Sequence, residues 1–459
     1  MSRDEPARIT GVRGGSGSIE ATYDAVRDLA DRFDAAADEQ RAWATSGAAV
    51  LVDPDLLTSA PLSPLTFAEA EAAVTAATTG PLGLLPGSCG WEATAVLVRA
   101  ALAGLTASDV AAEVAIDALD WRLGLLAGLA LRLAGPVALA TGSTLPPEVR
   151  GRLGADVQRW LVTHPREVQH LVNGGGGLLT GLGPFVVPDR RTATALLAAA
   201  YADGDPVATR RPDLRVPSAG RQPDSVADLL DHLAQVAALS PDPDSPANGT
   251  IEVQTLDPDS DRARHVVYLP GTDDLATLPW AQDHDVRDLG SDLRSAAGES
   301  TAYQRGILHA LADAGVRPDE PVLLVGHSLG GMEAAALASR DTGLAVTDVV
   351  TAGSPTAQVG DFPADVRVLS LEHHGDVVPL LDGADNPDRT AQVTVTFESG
   401  HDETVADAHG YEPYRAGAAA VDASTDPAVA DQVAGLRERG FLGRSAEVSS
   451  QVFQIARDR

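Results

Sequence analysis

The segment from Pro321 to Ser339 constrains the fold of this chain more than any other. A short apolar run, Pro321-Val-Leu-Leu-Val325, enters Gly326-His327-Ser328-Leu329-Gly330-Gly331, and small residues from Met332 to Ser339 leave it. The run reads as a buried strand and the small-residue stretch as a helix, so the chain reverses sharply between them at Ser328. Gly326 and Gly330 are expected where any Cβ would strike the neighbouring strand or helix. Such a turn lifts the Ser328 hydroxyl above a sheet, beside the first N–H groups of the new helix. Gly-x-Ser-x-Gly alone means little in a chain with 44 glycines; the strand before it and the helix after it supply the specificity.

The surroundings fit that turn. Thr250–Leu256 and Arg264–Leu269 read as a hairpin leading into a buried strand. Further strands are expected at Pro321–Val325, Asp348–Thr351, Val366–Leu371 and Gln392–Phe397. Helices are expected at Ser225–Ala238, Thr301–Ala314 and Leu329–Arg340, and strands interleaved with helices predict a mostly parallel sheet covered on both faces. The first two hundred residues instead show helical periodicity, at Ile19–Ala42, Phe67–Thr78, Trp91–Leu105, Ala107–Leu133, Pro147–Thr163 and Arg191–Ala202. Asn173-Gly-Gly-Gly-Gly177 reads as a flexible loop. With 459 residues, two domains are expected: a helix-rich one over 1–220 and an α/β one over 221–459.

Composition excludes several partner classes. There are 65 acidic against 34 basic residues, a net charge of −31, which argues against nucleic-acid binding and against docking on an anionic bilayer. Cys89 is the only cysteine, so no intrachain disulfide or Cys-based metal site is expected. The N-terminus carries acids and no apolar run, and the expected address is cytoplasmic. Leu123–Ala140 is the most membrane-like stretch; Arg132 and Gly135-Pro136 interrupt it, and a buried helix pair is expected there instead of a span.

A serine hydroxyl becomes a nucleophile only with an imidazole to take its proton and a carboxylate to orient that imidazole. Read with its surroundings, GHSLGG resembles the class 3 (fungal-type) lipases of the α/β-hydrolase superfamily. Val266-Val-Tyr-Leu-Pro-Gly-Thr272 is similar to that family's strand and Arg-Gly-Thr turn, with Pro270 replacing the arginine. Glu372-His-His-Gly-Asp376-Val-Val-Pro379 is similar to its acid segment, and His409-Gly-Tyr411 to its late histidine with a nearby tyrosine. The resemblance spans 250–415 and implies Ser328 as nucleophile, Asp376 as acid and His409 as base, with no cofactor and an ester or lipid substrate. Asp361, Asp382 and Asp385 remain alternatives for the acid, and His401 for the base. His327 is expected to pack beneath the nucleophile. The spacing of His373, His374 and Asp376 matches no standard metal site. The oxyanion hole is expected from the Leu329 N–H and, by resemblance, from Thr272, whose side chain is a further candidate donor. Asp273–Ser300 corresponds to a lid region, with Trp280 either an exposed lid residue or a loop anchor. Gly174–Val187 is a candidate acyl-pocket wall, although loop filler is the plainer reading.

The N-terminal half is a candidate cap, export module or protein-binding surface. Ile19–Trp43 with Trp43-Ala-Thr-Ser-Gly47 is similar to the WXG-type hairpins of type VII secretion, without Trp-x-Gly itself, and Tyr201-Ala-Asp-Gly-Asp205 fits a Tyr-x-x-x-Asp pattern. Export by that route is the alternative to a cytoplasmic address.

Overall fold

The computed structural model describes residues 6–143, 147–261, 263–400, 404–444 and 446–458. It forms two compact units, Ile19–Ala115 and the remainder of the chain. The expected junction near 220 falls inside the larger unit, to which several segments before residue 220 also belong.

The larger unit is built on a nine-stranded sheet in the order β1-β8-β7-β6-β5-β4-β3-β9-β2. Its strands are β1 (Arg8–Gly14), β2 (Asp205–Arg210), β3 (Thr250–Leu256), β4 (Arg264–Leu269), β5 (Pro321–His327), β6 (Ala345–Ala352), β7 (Arg367–His373), β8 (Gln392–Glu398) and β9 (Val448–Asp458). The central five, β4 to β8, run parallel. Antiparallel pairs close both edges: β1 on β8, and β3, β9 and β2 in succession. Val- and Leu-rich strands such as β5 are buried along nearly their whole length, as strands covered on both faces must be. One apolar layer lies beneath the helix Val226–Ala237, and the other packs the helix Ala302–Ala314 and the elbow helix Leu329–Ala338.

Three expectations for the N-terminal half need correction. First, β1 and β2 belong to this sheet, so the first 220 residues are not a separate helical domain. Second, Asn173–Gly177 is no loop: the helix Gly175–Leu182 runs through its last glycines. A Cβ at Gly177 would lie 1.8 Å from Trp121 O, and one at Gly124 2.0 Å from Gly174 O. The glycines permit backbone-to-backbone packing of two helices. Third, a single helix, Leu84–Ser143, passes through Gly135-Pro136, and Leu123, Leu126 and Leu131 on it are exposed. One helix thus stands where a pair was expected, and the burial of side chains 133–140 lies outside the described residues. Among the described residues, Leu84–Arg132 is the one helical segment long and apolar enough to cross a membrane by length and composition, with an 18-residue window of mean hydropathy 1.5.

The smaller unit pairs the helix Ile19–Ala49 with Pro64–Thr78 and the first part of Leu84–Ser143. Its buried seam is Ala30, Ala37 and Ala44, at seven-residue spacing, one position round from the larger Leu29 and Phe33. Phe33 stacks on Trp91 at 5.3 Å, and Arg99 bridges Asp31 and Asp34 at 2.5 and 2.7 Å.

Candidate active site

The reversal at Ser328 is as tight as its glycines imply. Ser328 sits at φ 52°, ψ −124°, and only Asp257 shares a positive φ among the described non-glycine residues. That strained backbone is held by Ser328 N donating to Ala352 O at 3.0 Å. A Cβ on Gly326 would lie 2.4 Å from the Gly330 carbonyl, and one on Gly330 1.9 Å from Leu269 O. Both glycines are therefore required by close backbone approach.

Asp376 lies three residues beyond β7 and is buried. Its Oδ2 accepts from His409 Nδ1 at 2.7 Å and from the Tyr414 hydroxyl at 2.7 Å, while Oδ1 accepts from Val378 N at 2.9 Å. The carboxylate thereby keeps the proton on Nδ1 and leaves Nε2 as an acceptor. His409 ends a short helix, Val405–His409, whose first N–H is held by Gln158 at 3.2 Å. It lies between β8 and β9 in the chain.

The rival acids are engaged elsewhere. Asp361 pairs with Arg389 at 2.5 Å on the surface, and Asp385 pairs with Arg13 and Arg166. Asp382 accepts from Ala357, Gln358 and Ala384 N. His401 lies outside the described residues. His327 packs between His409 and Tyr411, with ring centroids 4.5 and 4.3 Å away, and its Nε2 donates to His409 O at 2.8 Å. Burial and the neighbouring imidazole push its pKa well down, so it is a neutral brace. The backbone N–H groups of Gly375 and Ser399 lie 3.3 and 3.2 Å from the two ring nitrogens of His373, and whichever nitrogen is unprotonated accepts one of them. Among the described residues no three His, Cys, Asp or Glu side chains converge in a way that could hold a metal ion.

The turn after β4 presses on the elbow: a Cβ on Gly271 would lie 2.9 Å from Ser328 Cβ. Its carbonyls are held from behind, Pro270 O by the Tyr303 hydroxyl at 3.3 Å and Gly271 O by Arg287 Nη1 at 3.1 Å. Gly271 N donates to the Tyr411 hydroxyl at 3.4 Å and Asp273 N to Arg287 O at 2.8 Å. No acceptor is found, among the described residues, for Thr272 N or for Leu329 N, the first helical N–H after Ser328. The Thr272 hydroxyl, by contrast, lies 3.0 and 2.9 Å from the two oxygens of Asp292, whose pKa burial raises to about 7. While Asp292 is ionised the hydroxyl donates to it, so the side chain is committed there.

Ser328, His409, Thr272 and Tyr411 line one cavity of about 360 Å3, whose apolar wall includes Ala234, Ala237, Pro241 and Leu275. Trp280 is 81% exposed, which rules out a core anchor, and it does not line the cavity. The loop that carries it is tied down by the Tyr201 hydroxyl on Thr277 O and by Gln282 on Ala202. Gly174–Val187 contributes nothing to the cavity wall.

Sequence reading missed Arg287, Asp273, Asp292 and Tyr414. Arg287 is 1% exposed and ion-paired with Asp273 at 2.7 Å, and it braces the turn at Pro270-Gly271 through the Gly271 carbonyl. Its one signal was a lone cation among Asp283, Asp285 and Asp288.

No curated protein and no solved structure gives a significant match to the chain. A family described as "Alpha/beta hydrolase" matches residues 251–373, a span that holds the turn after β4 and the turn at Ser328 and stops just short of Asp376. With the parallel sheet and the turn at Ser328, that match means the C-terminal half carries an α/β-hydrolase domain, a class that is generally enzymatic.

Proposed function

We propose that this chain is a serine carboxylic-ester hydrolase that works through an acyl-enzyme on Ser328. The observation that carries the reading is the hydrogen-bonded pair Asp376–His409, with His409 lining the same cavity as a serine in a strained strand-to-helix turn. His409 Nε2 takes the Ser328 proton as Oγ attacks the ester carbonyl. The oxyanion of the tetrahedral intermediate is received by Leu329 N–H and Thr272 N–H, which have no acceptor among the described residues. Collapse expels the alcohol, which takes the proton from His409. Water, deprotonated by the same imidazole, then releases the acid.

The finer reading is an esterase of class 3 lipase type acting on short to medium acyl chains. A cavity of about 360 Å3 walled by alanines supports a short acyl group. Leu275, an exposed apolar side chain in the cavity wall, supports an apolar substrate.

The test is hydrolysis of p-nitrophenyl butyrate and palmitate by wild type and Ser328→Ala. The proposal expects activity in wild type, faster on butyrate, and loss of about a thousandfold or more in the variant. A folded wild type inert on both esters, or activity surviving in Ser328→Ala, contradicts it.

A further inference from the structure

A second cavity, of about 300 Å3, shares no lining residue with the one at Ser328. Arg190, Arg191 and Arg340 line it. In a chain with 65 acidic and 34 basic residues, carboxylate partners are easy to find: Arg211, Arg287, Arg305, Arg439 and Arg457 all have one. Among the described residues none of the three cavity arginines does. Their partners are neutral: Arg191 Nε donates to Ala297 O at 2.7 Å, and Arg340 donates to Gly298 O and Gln304 Oε1 at 3.2 and 3.3 Å.

Arg190 is the most telling of them. It is 6% exposed, yet its five-donor fork makes one hydrogen bond, to Ala296 O at 3.4 Å. Burial lowers its pKa, the mark of a cation short of compensation. The acids nearby are already occupied. Glu299 is held by Arg294 at 2.8 Å, Asp189 caps its own helix through Thr192 N, and Asp382 accepts three backbone N–H groups. Of the two carboxylates in the wall, Glu299 is thus paired with Arg294, which leaves Asp382 opposite three guanidinium groups. Met332, Ala336, Pro355 and Val359 complete the wall with apolar surface.

We infer that this cavity binds the phosphate group of a small soluble organic phosphate, held by Arg190, Arg191 and Arg340 with its apolar body against Met332, Ala336 and Val359. Planar guanidinium forks match phosphate oxygens, and the charge left over after Asp382 suits a dianion better than a carboxylate. A net charge of −31 sets the whole molecule against an anionic bilayer, which favours a soluble source for the phosphate. The site stands whether or not Ser328 is a nucleophile.

The test is calorimetric titration of the full chain with phenyl phosphate, benzoate and phosphatidate vesicles. It is run on wild type, Ser328→Ala, Arg190→Lys and the double variant Arg191→Gln/Arg340→Gln, whose two side chains are exposed. Thermal melts check that each variant is folded. Phenyl phosphate is expected to bind wild type and Ser328→Ala alike and more tightly than benzoate. The double variant should lose about tenfold or more in affinity, and Arg190→Lys several-fold, since lysine keeps the charge and loses the fork. The inference is overturned if phenyl phosphate fails to bind at millimolar concentration. It is equally overturned if the double variant binds unchanged, if benzoate binds as well, or if only the vesicles bind.

Discussion

Removing a single oxygen atom from Tyr414 probes how Asp376 is held. The Tyr414 hydroxyl donates to Asp376 Oδ2 at 2.7 Å and accepts from His373 N at 3.3 Å, while its ring packs edge-on against Phe397 at 5.5 Å. Burial and the adjacent carboxylate drive its pKa well above the usual phenol value, so it remains a donor throughout any practical pH range. Tyr414→Phe keeps the packing and deletes both polar contacts. A hydrogen bond to a charged group contributes about 1.5–3 kcal/mol, and an unsatisfied buried N–H adds roughly 1 kcal/mol more, so a stability loss of about 2–4 kcal/mol is expected. Asp376 retains His409 Nδ1 and Val378 N, so the imidazole stays oriented. Hydrolysis of p-nitrophenyl butyrate should then fall about 5- to 50-fold in kcat, far short of the roughly 10⁴-fold expected for losing the acid. Urea unfolding gives the first quantity and steady-state kinetics the second. A variant as stable and active as wild type would refute the reasoning, as would a folded variant as inactive as Ser328→Ala.

Other consequences follow from packing and burial. Gly330→Ala would place a Cβ 1.9 Å from Leu269 O and 2.6 Å from Pro270 O, both backbone atoms. It should cost more than about 3 kcal/mol or abolish soluble expression, whereas Gly104→Ala, in open space on a helix, should leave the melting temperature unchanged or raised. Glu333 is fully buried, donated to by the Thr301 hydroxyl, and its pKa is raised to about 8 by burial. The folded state therefore holds a proton that the unfolded chain releases near pH 4, so this group's contribution is lost as pH rises from about 4 through about 8. Urea midpoints at pH 5 and pH 8 should differ less in Glu333→Gln than in wild type; an equal difference would contradict the burial argument.

Legibility in the sequence followed how local each signal was. β3 and β4 were bounded correctly, because alternating apolar residues between Asp-rich turns carry their own register. The strain at Ser328 was foreseeable from two flanking glycines. β1, β2 and β9 were not seen: Arg-Ile-Thr-Gly-Val-Arg-Gly and Asp-Pro-Val-Ala-Thr-Arg look like linker, and they become strands only by pairing with residues about 250 or more positions away. The helix Leu84–Ser143 is expected from sequence as two pieces, Trp91–Leu105 and Ala107–Leu133, the second ending before Gly135-Pro136, a break that long helices can absorb. Side chains that act through distant partners, such as Arg287 on Gly271 and Tyr414 on Asp376, leave no spacing signal. Which of Asp361, Asp376, Asp382 and Asp385 pairs with His409 is likewise visible only in three dimensions, since in so acidic a chain loop carboxylates are common.

The most direct test of the central claim is intact-mass labelling with a fluorophosphonate probe, followed by peptide mapping, on wild type, Ser328→Ala, Asp376→Asn and His409→Ala. The account predicts one adduct on wild type, located at Ser328. It predicts no adduct on Ser328→Ala and labelling slowed at least a hundredfold in Asp376→Asn and His409→Ala. An adduct at another serine, or labelling at Ser328 that is indifferent to Asp376 and His409, would contradict it.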